Sequence, residues 1–247
     1  MLAKHLLPLI AVLLCACASS ESRVDYDPLE PLNRAVYKFN DVLDRAILKP
    51  VAKGYKFVVP SVMRKGVTNF SFNLRTPRSA INNFLQGKPR RGFDDIARFL
   101  VNSTFGIGGL IDIASARGFE QYDEDFGQTF AVWGVPQGPY VVLPLLGPRT
   151  MRHAVAVPFN YASDPLFYYE NASVRDKLWV LRTINLRSRL LKAEELIGES
   201  KDRYITIRES YLQNRNYDIH DGDPPEDDDF YDDFCDEDSE DEGDDCD

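Results

Sequence analysis

Histidine is scarce in this 247-residue chain, with three in all. Once an N-terminal leader is set aside, only His153 and His220 remain. No G-x-S-x-G elbow and no H-E-x-x-H helix is present, which argues against the common serine and zinc hydrolases of the cell envelope. His153 sits in an apolar stretch that suits a packed side chain better than a general base. Asp94 and Asp95 are adjacent, and neighbouring positions on a helix point apart, so they do not form a glycosidase pair. Cysteine is equally sparse: of four, Cys15 and Cys17 lie near the N-terminus and Cys235 and Cys246 near the other end. Two cysteines alone make no zinc site, although an oxidising compartment permits a disulfide between the latter pair.

Positive charge is missing from one region altogether. Eighteen of the 39 acidic residues, and none of the 29 basic ones, fall between Asp218 and Asp247, so residues 1–217 carry a net charge of +8. Such an acidic, apolar-poor segment is expected to be disordered. It lacks the alternation and distal glutamate of an EF-hand loop. The basic body suits anionic headgroups, lipopolysaccharide phosphates or an acidic partner, or is simply a solvated basic surface; nucleic acid is not an expected partner.

Charge of either sign is absent from Phe126 to Pro148, a run of 23 residues. It is as long as a membrane span, yet Pro136, Pro139, Pro144 and Pro148 and four glycines would break a helix repeatedly. Two readings stand. One is a re-entrant hairpin bordering a cavity in a bilayer, since unpaired backbone is tolerated at that depth only there. The other is a buried β-hairpin with Pro136-Gln137-Gly138-Pro139 at its tip.

What is present begins with MLAKHLLPLIAVLLCAC. Lys4 gives a basic start, Leu6 to Leu14 an apolar core too short for the ~20 residues of a span, and Leu14-Cys15-Ala16-Cys17 a lipobox. Cys17 is the expected acylated first residue of the mature chain, and Ala18, not aspartate, follows it. The expected organisation is a signal peptide over 1–16, an acylated linker over 17–26, a helical domain over 27–217 and the acidic tail over 218–247.

Apolar spacing of three and four predicts a mostly α-helical body. A first helix begins at Pro31 and ends near Pro50. Shorter ones follow over Val51–Val59, Val62–Leu74, Ser79–Leu85 and Phe93–Val101, with Pro60, Pro77 and Pro89 as joints. Gly106-Ile107-Gly108-Gly109 reads as a turn between helices, because no strand precedes it as a phosphate loop requires. Two more helices are expected over Val174–Ile197 and Asp202–Asn214. The first of these is cationic opposite its apolar stripe, as at a membrane interface or on a plain surface.

Four stretches, DPLEPLNRAVYKFND, NNFLQGKP, RFLVNSTFGIGGLIDIA and EDFGQTFAVWGVPQGPYVVLPLLGPRTMRHAV, together resemble the MlaA (VacJ) lipoprotein family from Asp27 to about Asn216. The resemblance implies a ring of helices in the inner leaflet of the outer membrane, with a central amphipathic channel and a trimeric porin beside it. It implies removal of phospholipid mislocalised to the outer leaflet, passed to a soluble periplasmic carrier of MlaC type. No catalysis, cofactor or metal is implied. Trp133, Gly134, Pro136, Gly138, Pro139, Tyr140 and Gly147 would belong to a gating hairpin. Phe39 and Asn40 would lie near the channel and Lys177 near a cationic lining. The alternatives are a passive lipoprotein bracing a porin complex and, less favoured, an envelope hydrolase.

Overall fold

A computed structural model describes residues 27–197 and 200–225. Cys17, Cys235, Cys246 and the acidic run from Glu226 onward lie outside the described residues. The fold is mostly helical, with one two-stranded hairpin.

Helix α1 (Glu30–Leu43) does not stop near Pro50 as expected. A π turn over Asp44–Leu48 carries it directly into α2 (Lys49–Val58). Proline has no N–H and its ring crowds the carbonyl four residues back. The π turn widens the spiral just before it, with the Lys49 N–H reaching the Asp44 carbonyl, and the chain continues.

Pro77 likewise fails to separate two helices, because α3 runs unbroken from Ser61 to Leu85. An internal proline costs about 3 kcal/mol, and a polar interface with α4 (Pro89–Thr104) opposes that cost. Asn73 donates to Ser103 Oγ at 2.9 Å, and Asn83 to Asp95 Oδ2 at 3.0 Å. Gly92 lets the helices close on each other, since a Cβ there would meet the Phe84 ring at 2.8 Å.

The Gly106–Gly109 stretch is the turn that was expected, leading to α5 (Ile113–Ala116). Gly109 has φ +91°, and a Cβ on it would strike Asn73 at 2.5 Å. Asn102 Oδ1 accepts the Ile113 and Ala114 amides, both at 2.9 Å. The buried Arg98 guanidinium binds Asp112 and the Phe119 carbonyl behind it.

The charge-free run and the two residues after it divide into helix α6 (Phe126–Val132), a strap, and strands β1 (Tyr140–Leu143) and β2 (Gly147–Thr150). Tyr140 pairs with Thr150 and Leu143 with Gly147, so the tip is Pro144-Leu145-Leu146 and not Pro136–Pro139. The latter stretch is the strap, whose Gln137 and Pro139 carbonyls accept the Arg152 and Met151 amides. Its two prolines, lacking N–H groups, suit a strap better than a ladder. The open edge of β1 is covered by side-chain amides from α1. Asn33 donates to the Tyr140 carbonyl at 2.9 Å and accepts the Val142 amide at 2.8 Å. Seven residues on, along the same helix face, Asn40 repeats the pattern with the Leu143 carbonyl and Leu145 amide.

Helix α7 (Met151–Ala162), a 3₁₀ turn over Pro165–Tyr168, α8 (Ala172–Ile197) and α9 (Arg203–Ile219) complete the fold. Asp202 caps α9 by accepting the Tyr204 amide at 2.9 Å. This helix runs past the expected boundary at 218. Asp218 is helical, and Asp221 is bound by Lys88 and Arg91, so the first acidic residues belong to the body.

Polarity is reversed relative to an ordinary soluble domain. The largest fully buried side chains are Asn33, Asn82, Asn83, Thr129, Asp95 and Ser79. Meanwhile Phe57 is 92% exposed, Val62 80% and Phe105 73%. The apolar core is small: Tyr140, Val142 and Tyr204, flanked by Val36, Tyr37, Tyr211 and Leu212. Among the described residues, no helix is long and apolar enough to cross a membrane.

Candidate functional site: an arginine-lined cavity

Helices α3, α6, α7, α8 and α9 and the end of the hairpin line an open cavity of about 610 Å³. Two helical stripes supply most of its wall. On α3, Thr68, Ser71, Phe72, Arg75 and Arg78 recur at three and four; on α8, Trp179, Arg182, Thr183, Leu186 and Arg189 do the same. The hairpin contributes Leu146 and Arg149, and α9 contributes Arg215. Six arginines therefore face the space together with four aspartates, Asp123, Asp125, Asp164 and Asp218.

Each aspartate is engaged. Asp123 takes Arg75 at 2.9 Å and Arg78 at 3.0 Å, and Asp164 takes Arg182 at 2.9 Å. Asp125 receives both arms of Arg215 at 3.1 Å, while Asp218 accepts from Asn214 at 2.9 Å and faces Arg215 at 3.6 Å. Asp125 also caps α6 by accepting the Gln128 amide at 3.0 Å. Burial disfavours its charge, but Arg215, His153 and that amide outweigh burial and hold the carboxyl near 2. His153 touches Asp125 through Nε2 at 3.4 Å and Tyr211 through Nδ1 at 2.7 Å, so both ring nitrogens are occupied. Burial, against the pull of Asp125 and helped by nearby arginines, keeps this imidazole neutral down to about 4.

The residues singled out from sequence sit around the cavity but do not line it. Tyr140 is in the apolar core, and Asn40 holds the hairpin tip. Trp133 is 56% exposed and donates to the Leu85 carbonyl at 3.0 Å. Gly134 between α6 and the strap, Gly138 within the strap and Gly147 at the start of β2 all have positive φ. Pro136 and Pro139 form the strap, and Phe39 and Lys177 are exposed on α1 and α8. The cationic face of α8 divides: Arg182 and Arg189 point into the cavity, whereas Arg187 binds Asp44 and Glu194. Sequence reading missed Arg75, Arg78, Arg149 and Arg215. For Arg75 and Arg78 the only signal was the polar stripe on α3, which resembles a solvated face; Arg149 and Arg215 carried none. Among the described residues, no cluster of His, Cys, Asp or Glu is arranged to hold a metal ion.

The family model "MlaA lipoprotein" matches residues 25–218. This chain belongs to the MlaA family. The "Intermembrane phospholipid transport system lipoprotein MlaA" of Escherichia coli K12 is 38% identical over 220 residues, covering 85% of this chain and 86% of the relative. The protein of the same name from Haemophilus influenzae is 34% identical over 222 residues, covering 87% and 89%. A solved structure described as "Structural basis for maintenance of bacterial outer membrane lipid asymmetry" superimposes with a TM-score of 0.69 at 37% identity, covering 78% of this chain and 99% of the other. The mostly helical MlaA fold expected from the sequence is thus shared with a solved relative.

Proposed function

We propose that this chain is an outer-membrane lipoprotein of intermembrane phospholipid transport. It draws mislocalised phospholipid from the outer leaflet through the arginine-lined cavity and yields it to a soluble periplasmic carrier, maintaining lipid asymmetry. It is anchored through Cys17 in the periplasmic leaflet beside a trimeric porin, its hairpin gates the passage, and it performs no catalysis. The names of the relatives support the general role.

The observation that carries this reading is the reversed polarity. A side chain such as Phe57 would gain about 2 kcal/mol on passing from water to acyl chains, so the exposed apolar exterior favours immersion in lipid. The polar cavity then offers a headgroup a path through an apolar surround. A brace for a porin needs neither feature.

Filling the cavity tests the proposal. Thr183→Trp places an indole in the wall without removing a charge. It is expected to raise phospholipid in the outer leaflet, measured by surface-accessible lipid labelling, while membrane attachment stays normal. Unchanged surface phospholipid in a stably folded variant would refute passage through this cavity.

A further inference from the structure

Two of the six cavity arginines have no carboxylate partner among the described residues. Arg149 spends one arm on the neighbouring Pro148 carbonyl at 2.6 Å, and its Nε is buried with no acceptor. Arg189 stands 5.8 Å from the Phe72 ring centroid, whose ring Arg75 also covers at 4.4 Å. The four cavity aspartates, by contrast, all have partners already. With His153 neutral near pH 7, the wall carries two positive charges more than negative. That excess is felt inside the site: burial lowers the proton affinity of Arg75, and Arg78, Arg182 and Arg189 push the same way against Asp123.

A wall of this kind answers a phosphate oxygen with free guanidinium donors, the geometry in which arginine is strongest. It has no free carboxylate to answer an ammonium group. A zwitterionic headgroup would leave its amine unpaired or would have to break an existing arginine–aspartate pair. A headgroup whose only charge is its phosphate meets neither cost.

Taking the lipid-passage reading as given, we propose that Arg149 and Arg189 form an anion-reading pair in the cavity wall, so that the site takes phospholipids of net negative charge in preference to zwitterionic ones. The ligand class is an anionic phosphodiester carrying acyl chains, of which phosphatidylglycerol is the simplest probe. Arg75 and Phe72 back the pair, and the remaining ion pairs keep the cavity open and shaped.

The test uses the full chain extracted from membranes in detergent and equilibrated with an equal mixture of phosphatidylglycerol and phosphatidylethanolamine. Retained lipid is then measured by native mass spectrometry. The wild type is expected to retain phosphatidylglycerol in clear excess over the mixture. Arg189→Gln, which breaks no ion pair, should lower that excess about fivefold, the effect of one cation beside an anionic lipid. Arg149→Gln with Arg189→Gln should bring the ratio close to that of the mixture. Lys53→Gln, which removes an exposed cation outside the cavity, should leave the ratio as in the wild type. Retention of both lipids without preference, or an undiminished preference in the Arg189→Gln protein, would overturn the pair while leaving lipid passage standing. Retention of neither lipid would overturn both. Inorganic phosphate that raises the melting temperature as much as phosphatidylglycerol does would mark a free-phosphate site and overturn the lipid preference.

Discussion

Asp125 and Arg215 lie 90 residues apart in sequence and meet through two parallel hydrogen bonds of 3.1 Å. The pair joins the start of α6 to α9, so the charge-free run hangs from this contact at its N-terminal end. Both side chains are nearly buried, with 10% and 12% exposure.

Removing one partner leaves the other buried and uncompensated, a loss of about 3–5 kcal/mol. Arg215→Gln is therefore expected to lower the melting temperature in detergent by roughly 10 °C. A melt within two degrees of wild type would show that the pair is not a structural tie.

Acid titration should expose two opposed groups. His153 is held down at about 4, below its ordinary value, so the unfolded chain binds more protons and stability from this group is lost as pH falls from 6.5 toward 4. Asp95 is pushed up to about 6, chiefly by burial, so the folded chain binds more protons and stability is gained as pH falls from 6 toward 3.8. Each is worth about 3 kcal/mol when fully expressed, and they nearly cancel in the wild type between pH 6 and 4. His153→Gln should thus grow more stable on acidification through that window and Asp95→Asn less stable, by urea unfolding at each pH. Parallel profiles for the two variants would contradict the assignment.

The asparagine cover on β1 has a local signature. Asn33→Ala orphans the buried Tyr140 carbonyl and Val142 amide, each at a cost of about 1–3 kcal/mol. Hydrogen exchange at Val142 is expected to accelerate at least tenfold. Asn40→Ala, beside the exposed Leu145, should have a smaller effect on stability but should loosen the hairpin tip. Unaltered exchange at Val142 would mean the strand holds itself.

Much of the fold was legible because apolar spacing marks helices wherever one face meets a neighbour. The Val174–Ile197 and Asp202–Asn214 expectations fall within a few residues of α8 and α9. Pro50 and Pro77 misled for one reason: proline reports a lost hydrogen bond, and local sequence does not reveal a compensating π turn or a polar interface thirty residues away. The cavity was harder to read. An arginine that faces an internal space and one that faces water occupy the same helical register, so Arg75 and Arg189 look like surface until α3 and α8 are set side by side. The hairpin was visible as uncharged, proline-rich chain, but its tip depended on strand register, which only the pairing of Tyr140 with Thr150 fixes.

The amide-rich seam between α3 and α4 changes what drives this chain to fold. Asn73 donates to Ser103, and Asn83 donates to Ser79 and Asp95, contacts that expel little oily surface from water, so little of the usual collapse force is available inside the molecule. The apolar side chains lie instead on the outside, where the acyl chains of the proposed lipid surround, or detergent, would shelter them. Under the proposed immersion in lipid, acquiring shape and entering a lipid phase form one coupled event, and diluting away the amphiphile is expected to unfold or aggregate the chain rather than release a stable monomer into buffer.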